Sequence, residues 1–392
     1  MANTLTSLIP DIYEAIDVVS RERVGFIPAV TKNSSAERAA LNQSIRVPIA
    51  PAVTSEADNT PAVSAPDTGD NTIDNVVMTI SNSKHIPVRW NGEETQGLVL
   101  AGTFSNINAA RFGQAFRRLG NLIEADVAAS YKEASRAVGT AGTTPFGTAD
   151  DFSDFANVAK ILDDNGCPQD QSWRLVLSNA AMANIRAKQS SLFKANEAGT
   201  DELLREGKVM RVMGFNIGQS GQVIKHTRGT DNGSATLTST DYAVGSTSLT
   251  LASAGTGTIV AGDQVNIAGE NNGIWYGIAT GDSDVSSGGT IVLNKPGLTI
   301  AQTTNTSAVT VPAADFRANL AFHPSAIQLI TRAPAMPEGG DMATDSVMVT
   351  DPISGLTFEV LRYEQFRQVV YHVAIAWGYK VIKPEHVAVL FG

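Results

Sequence analysis

"NINAARFGQAFRRLGNLIEADVAASYKEASRAV" spans residues 106–138 and carries the clearest helical period in the chain. Phe112, Phe116, Leu119, Ile123, Val127, Tyr131, Ala134 and Val138 recur at steps of three and four, the spacing that lines one face of an α-helix. Arg111, Arg118, Glu124, Lys132 and Arg136 fall mostly off that stripe. At 1.5 Å per residue the pattern predicts a helix roughly 45–50 Å long. That is longer than an ordinary globular helix and suits a spine against which other elements are laid. Phe112, Phe116, Leu119, Ile123, Val127 and Tyr131 are its expected core face.

Upstream of the spine, "SIRVPIAP" (44–51) alternates polar and apolar as a strand does, and "VVMTISNSKHIPVRW" (76–90) returns as strand. Between them, residues 52–75 are rich in Pro, Ala, Asp and Thr with almost nothing to bury, the composition of a projecting loop. The two strands and their polar tip predict an extended hairpin arm over 44–91. A two-stranded arm is marginal alone in water, so it is expected to pack on something else, often another subunit. Leu8, Ile12, Ile16 and Val19 predict an amphipathic helix over 6–20, with Pro10 confined to its first turn. Residues 25–43 read as extended or weakly helical.

Downstream, Phe152, Phe155, Val158 and Leu162 predict a helix over 151–165, closed by "DDNG". "WRLVLS" (173–178) reads as a buried strand, and Asn179 as the N-cap of the helix "AAMANIRAKQS". This is a helix–strand–helix layout of an α/β or α+β domain. "LLREGKVMRVMGFNIGQSGQV" (203–223) then forms a joint. Gly214 lets a strand begin or bend, Phe215 and Ile217 face the core, and Gly218 to Gly221 form a flexible exit. Beyond Gly221 the composition turns to Gly, Ser, Thr, Ala, Asp and Val through residue 312. "SLTLA", "DQVNIA", "IWYGIAT" and "TIVLN" are short strand candidates, separated by turns such as "DNGS", "ENNG" and "SSGG". That rhythm predicts a small all-β barrel or sandwich, inserted within the α/β unit because α/β-like patterning resumes afterward. The last apolar run reaches the final residues, which predicts a C-terminal strand tied into a sheet.

The chain has 392 residues, more than one compact core usually holds. Lys and Arg total 29 against 39 acidic residues, for a net charge of −10. No cluster of basic residues implies a surface that grips phosphate backbones, although a protein that encloses nucleic acid without gripping it would also be acidic or neutral. The lone Cys167 excludes a disulfide framework and a Cys-rich metal site. The N-terminus lacks the basic segment of a signal peptide, and no run approaches the roughly 18 apolar residues of a membrane span. A soluble protein retained where it is made is expected, with no membrane partner.

Catalytic candidates are weak. Gly218-Gln219-Ser220-Gly221 approaches a hydrolase elbow, but Gln222 stands where the second glycine belongs and no helix follows. Asp67-Thr68-Gly69 matches the aspartic-protease triplet, yet no second copy exists to share a proton. His85, His226, His323, His372 and His386 show no metal-ligand spacing, and His372 reads as a core or interface residue. "DDNG" and "GDSDVSSGG" read as acidic turns or caps rather than calcium loops. No P-loop or dinucleotide motif appears. The expectation is a protein without cofactor, metal or catalytic residues, built for contacts.

The order of parts resembles the major capsid (coat) proteins of tailed bacteriophages, the Hong-Kong-ninety-seven-type fold, and specifically the coat proteins of short-tailed lambdoid phages that carry an inserted β-barrel. "LLREGKVMRVMGFNIGQS" is similar to the stretch leading through G-x-[VI] and "GF-x-[IV]" to the insertion. "VAGDQVNIAG" (260–269) and "GGTIVLNKPGL" resemble motifs of the inserted domain. "AIQLITRAPAMP" (326–337) and "AIAWGYKVIKPEHVAVL" (374–390) resemble the strands that follow and close the chain. The N-terminal 100 residues match by layout only.

The resemblance implies an α+β fold with six parts. These are an N-terminal arm and helix (1–43), a hairpin arm (44–91), and a peripheral-domain spine helix (92–140). A first axial-domain part (141–222), an inserted β-barrel (223–313) and closing axial and peripheral strands (314–392) follow. Gly214, Phe215, Gly218 and Gly221 mark the domain junction. It further implies an icosahedral shell of hexamers and pentamers of this chain in a virion, assembled in a bacterial cytoplasm. Scaffolding protein and portal are the implied partners, a decoration protein is a further one, and double-stranded DNA is the cargo, held without sequence-specific binding. Three rivals share parts of the pattern: an encapsulin-type compartment shell, a β-rich binding protein using 224–312, and a hydrolase acting through Ser220.

Overall fold

The computed structural model describes residues 22–50, 73–100, 104–189, 209, 211–238, 241–303, 306–351 and 354–392. The helix expected over 6–20, most of the loop expected over 52–75 (with Asp67-Thr68-Gly69) and residues 203–208 and 210 of the joint lie outside them.

In chain order the elements begin with β1 (Thr31–Ala39), β2 (Ser44–Ile49), β3 (Asp74–Thr79) and β4 (Asn82–Asn91). Helices α1 (Gly92–Leu100) and α2 (Phe104–Ala128) lead to β5 (Arg136–Val138), α3 (Ser153–Asp164), β6 (Arg174–Leu177) and α4 (Asn179–Lys188). Strands β7 (Arg211–Val212), β8 (Phe215–Gln219) and β9 (Lys225–His226) precede β10 (Ala235–Thr236), β11 (Ser248–Leu251), β12 (Gln264–Ile267) and β13 (Trp275–Thr280). After β14 (Gly289–Leu293) and β15 (Ala308–Thr310) come β16 (Phe316–Phe322), β17 (Ile327–Pro334) and β18 (Asp345–Thr350). The chain closes with β19 (Thr357–Gln365), β20 (Gln368–Val381) and β21 (Val387–Phe391).

The spine is shorter than its pattern. α2 ends at Ala128, so its 25 residues span about 38 Å. Ala129–Glu133 tighten into a 3₁₀ turn and residues 136–138 become β5. The reason is tertiary: β5 pairs in parallel with β21 and antiparallel with β13, and those ladder bonds outweigh helix propensity over three residues. The apolar stripe still reaches the core. Phe112, Phe116, Leu119, Ile123 and Val127 are buried on α2, and Tyr131 is buried from the 3₁₀ turn. Phe112 meets Tyr371 edge-on at 5.3 Å and Phe116 meets Phe358 at 5.1 Å. α2 thus lies across a six-stranded sheet of order β1-β17-β20-β19-β18, with β4 on the other side of β20.

β2 and β3 form a separate antiparallel pair, with Ser44 opposite Thr79 and Ile49 opposite Asp74. The single strand expected over 76–90 is two strands. The chain breaks at Ile80-Ser81 because Ile80 is buried with Ala39, Ile330 and Ala376, and Ile80 bonds back to Gln43. β4 then leaves the hairpin and pairs with β20 from Asn82↔Trp377 to Asn91↔Gln368. Gly378 permits this crossing, since a Cβ there would lie 2.1 Å from the Thr79 carbonyl oxygen.

A second sheet runs β10-β15-β12-β13-β5-β21-β16-β6-β8-β7. α3 and α4 bury Phe155, Leu162, Met182 and Ile185 with Leu175, Leu177 and Phe215 of this sheet. α3 closes with Gly166 N–H donating to Asp163 and Cys167 N–H to Leu162, which satisfies two terminal carbonyls. The N-cap of α4 is Ser178, not Asn179: Ser178 is extended and its hydroxyl accepts from Ala181 N–H. At the other end of the sheet, β10, β15, β12, β13, β14 and β11 pair in succession. The antiparallel Leu237↔Leu251 bridge returns β11 to the residue after β10, so the pairings form a ring. The C-terminal β21 is buried throughout between β16 and β5.

Candidate assembly surfaces

Three surfaces stand out: the joint between ring and body, the line along α2 that receives the N-terminal segment, and the hairpin arm. At the joint, Tyr131 Oη lies 2.7 Å from His226 Nδ1, and His226 Nε2 lies 2.8 Å from Asp263 Oδ1. All three are buried. Asp263 also accepts from Gly229 N–H and Val260 N–H, so its charge is met on several sides. Burial, with the Asp263 charge nearby, pushes the Tyr131 hydroxyl up to about 12, which keeps it neutral. Asn294 Nδ2 donates to the carbonyls of Lys132 and Ala134. The end of the spine is therefore fastened to the ring by polar groups and by the β5–β13 ladder.

The four expected junction residues lie along the β7–β8 hairpin and the turn that follows it. Met213 and Gly214 have φ of 46° and 88°, and with both central residues at positive φ they form the primed two-residue turn of the β7–β8 hairpin. Phe215 is buried against Trp173 at 5.5 Å. Gly218 lies inside β8, paired with Val176 of β6, and not in an exit loop. Gly221 N–H donates to the Arg23 carbonyl in a turn. Ser220 is buried, and its hydroxyl accepts from Gln222 N–H at 3.1 Å. A turn and β9 follow it, so the strand-to-helix geometry of an elbow is absent there.

Glu124 is the site residue that the helical pattern misplaced. It was assigned to the polar side of the spine, yet it is fully buried. Its carboxylate accepts from the N–H groups of Gly25, Phe26 and Ile27 at 2.6, 2.8 and 2.9 Å. One helical row back, Glu22 is bound by Arg117 Nε at 2.8 Å and by Asn121 at 2.6 Å. Those hydrogen bonds hold the Glu22 carboxyl down to about 2. Residues 117, 121 and 124 share one helix face, so a second, polar stripe was present in the sequence but lacked an identifiable partner. Arg136, also assigned to the polar side, is buried and donates to Ile161 O and Asn165 Oδ1.

On the arm, Ile45 faces Met78 and Val47 faces Val76. Met78 is buried at the base, while Ile45, Val47, Ile49 and Val76 are half-buried. Phe366 at the tip of the β19–β20 hairpin is 92% exposed, and Met342 before β18 is 91% exposed.

The histidines serve packing and capping. His85 and His372 stack at 4.4 Å, and burial, then the His85 charge, lowers the pKa of His372. His323 caps the turn at 324–326 and meets Asp170 at 3.1 Å. Within "GDSDVSSGG", Asp284 caps the short turn at 285–287. Burial raises the Cys167 thiol to about 12, which keeps it a packing residue. Among the described residues no group of three or more His, Cys, Asp or Glu is arranged to hold a metal, and no helix is long and apolar enough to cross a membrane.

No family model matches the chain, and no curated protein matches it in sequence. Solved structures do match at the level of overall shape. One from Mycobacterium phage Che8 is 13% identical, with 95% of this chain and 92% of that chain covered at a TM-score of 0.46. The capsid structure of cyanophage P-SCSP1u is 12% identical, with 95% and 89% covered at 0.45. The mature capsid asymmetric unit of bacteriophage PhiM1 is 10% identical, with 95% and 88% covered at 0.44. Likeness at this level leaves the functional reading to the chain's own residues.

Proposed function

We propose that this chain is a structural shell subunit, the major capsid protein of a tailed bacteriophage, which self-assembles into an icosahedral shell around double-stranded DNA. The observation that carries the reading is the arm. Among the described residues β2 and β3 pair only with each other, their base packs on Ala39, Ile330 and Ala376, and a two-stranded hairpin is marginal alone in water. Its row of Ile45, Val47, Ile49 and Val76 is only partly covered within one chain, so a neighbouring subunit is the natural cover. The exposed Phe366 and Met342 add apolar contact points at the rim of the six-stranded sheet.

On this reading that sheet, α2 and the arm form the peripheral domain, and α3 and α4 with their sheet form the axial domain. The ring within 223–313 is the inserted domain that bridges neighbours. Hexamers and pentamers, a scaffolding protein, a portal and a decoration protein follow from the family resemblance, as do the virion location and assembly in a bacterial cytoplasm. A net charge of −10 suits a wall that must not hold its cargo as it enters or leaves.

Negative-stain imaging of the protein expressed with and without its neighbouring genes tests this. Closed shells of uniform size are expected. Ile49→Asp with Val76→Asp is expected to abolish shells while the subunit keeps its circular-dichroism spectrum. A wild-type chain that stays monomeric in the company of its neighbouring gene products sinks the reading.

A further inference from the structure

Two open features of the chain have opposite character, one concave and one projecting. A cleft of about 1130 Å³ lies between the ring and α3, with β5 in its lining. That exceeds the roughly 300–1,000 Å³ of a small-molecule site and suits a stretch of polypeptide. Val244 and Ile300 are exposed in the lining, and Trp275 is half-buried there. Of the charged lining residues, Arg136 and Asp164 meet each other at 3.4 Å. Two lysines remain against one carboxylate: Lys160 of α3 and Lys295 of the ring against Glu385. Both lysines are exposed and make no ion pair among the described residues.

The projection is the loop between β17 and β18. Every residue from Pro337 to Met342 is exposed, and Met342 stands among Glu338, Asp341 and Asp345. The loop is held in shape: Gly340 N–H donates to the Pro337 carbonyl, Tyr363 Oη donates to Asp341, and the Thr344 N–H and hydroxyl both donate to the Arg362 carbonyl. Little ordering is left to be done on binding.

We propose that the ring–α3 cleft of one subunit receives the Glu338–Asp345 loop of a second copy of this chain, with Met342 against Val244, Trp275 and Ile300 and the loop acids between Lys160 and Lys295. Three acids around one apolar side chain complement two lysines around an apolar lining. The exposed Phe366 tip does not fit as well, because it is flanked by Arg367 and by Glu364, which Arg362 already holds. Loop and cleft both stand open within one chain, so the contact joins two copies. They are different patches, and a contact between unlike patches closes into a ring when repeated about an axis, which is the geometry of a pentamer or hexamer. The inference rests on the shell reading and specifies how the ring bridges neighbours.

A short bismaleimide crosslinker applied to closed shells tests the contact, with the buried Cys167 as background. Shells co-assembled from Met342→Cys and Val244→Cys subunits are expected to give covalent dimers that neither variant gives alone. Subunits carrying both substitutions should give a ladder that ends at whole pentamers and hexamers. Lys160→Glu with Lys295→Glu should lower the dimer yield about tenfold, and adding Glu338→Lys with Asp341→Lys should restore it. Loss of shells in the lysine variant, restored by the loop reversal, supports the contact equally. Dimers from Met342→Cys alone overturn the proposal, because loops would then meet each other. Closure of both cysteines within one chain, a yield indifferent to both charge reversals, or well-formed shells without these dimers overturns it too. Those failures leave the shell reading standing, since it rests on the arm, whereas a wild-type chain that forms no shells strikes the shell reading itself.

Discussion

The body and the ring solve the same problem with different materials. The body's buried clusters hold Phe112, Phe116, Phe358, Trp377, Phe155 and Phe215, large side chains that each bury much apolar surface. The ring's cluster is Leu, Ile, Val and Ala with Tyr242 and Tyr276, and contains no Phe or Trp. Buried polar side chains make up the difference. Asp231 accepts from Gly233 N–H, Ser234 Oγ and Ala235 N–H. Tyr276 donates to Asn271 Oδ1, and Asn271 donates to Gln302. Short strands with long turns cannot supply enough apolar area, so buried side chains tie the turns down. Such bonds contribute modestly when made and cost heavily when broken.

Removing the ring is the severest way to break this comparison. His226 of β9 lies opposite Phe316 of β16, so the ring's entry and exit are adjacent. Replacing 227–315 by Asn-Gly should join them as a hairpin. The expected product keeps its helical circular-dichroism signal and one cooperative transition at a lower midpoint, with poor assembly. An unfolded product shows instead that ring and body are one unit, and normal shells dismiss the bridging role. Next in size is Phe116→Ala, which should cost the body about 3–5 kcal/mol in denaturant unfolding, while ring probes such as Tyr276 fluorescence change little below that transition. His226→Ala should cost about 2–3 kcal/mol because it leaves the Tyr131 hydroxyl unpaired in the interior and removes one of the partners of the buried Asp263. A gap between ring and body transitions should widen in that variant; one unchanged transition removes His226 as the fastener.

The smallest effect is on the N-terminal latch. The Glu22 carboxyl falls from its ordinary 4.5 to about 2 in the fold. A lowered carboxylate pKa gives stability that is present above 4.5 and lost as pH falls toward 2. Protease access near residue 23 should therefore rise between pH 4.5 and 2, and Arg117→Ala should show that access already at pH 7. Access independent of pH in the wild type discards the latch.

Much of the architecture was legible. The stripe from Phe112 to Tyr131, the strand "WRLVLS", the paired arm strands and the apolar C-terminus are periodicities, and burial follows period when one face of an element meets the core. The failures share a cause. The spine was overrun by ten residues because residues 136–138 suit a helix or a strand, and only β21 and β13 make them strand. Ile80 breaks the arm strand to pack with Ala39, Ile330 and Ala376. Glu124 and Arg136 looked solvated because charge normally is, and their partners lie 97 to 99 residues away for Glu124 and 25 to 29 for Arg136. No spacing along the chain brings Tyr131, His226 and Asp263 together, or sets Lys160 and Lys295 on one cleft.

The sequence by itself determined which faces are apolar, where turns fall, and that a Gly- and Thr-rich unit interrupts a strand-rich chain, because these depend on local propensity and on the helical and strand repeats. Only the tertiary structure decided where the spine stops, which carboxylates are buried and where positive charge gathers. Those outcomes depend on hydrogen bonds and electrostatics between residues distant in the chain, and the cost of an unpaired buried group is set by its surroundings rather than by its neighbours in sequence.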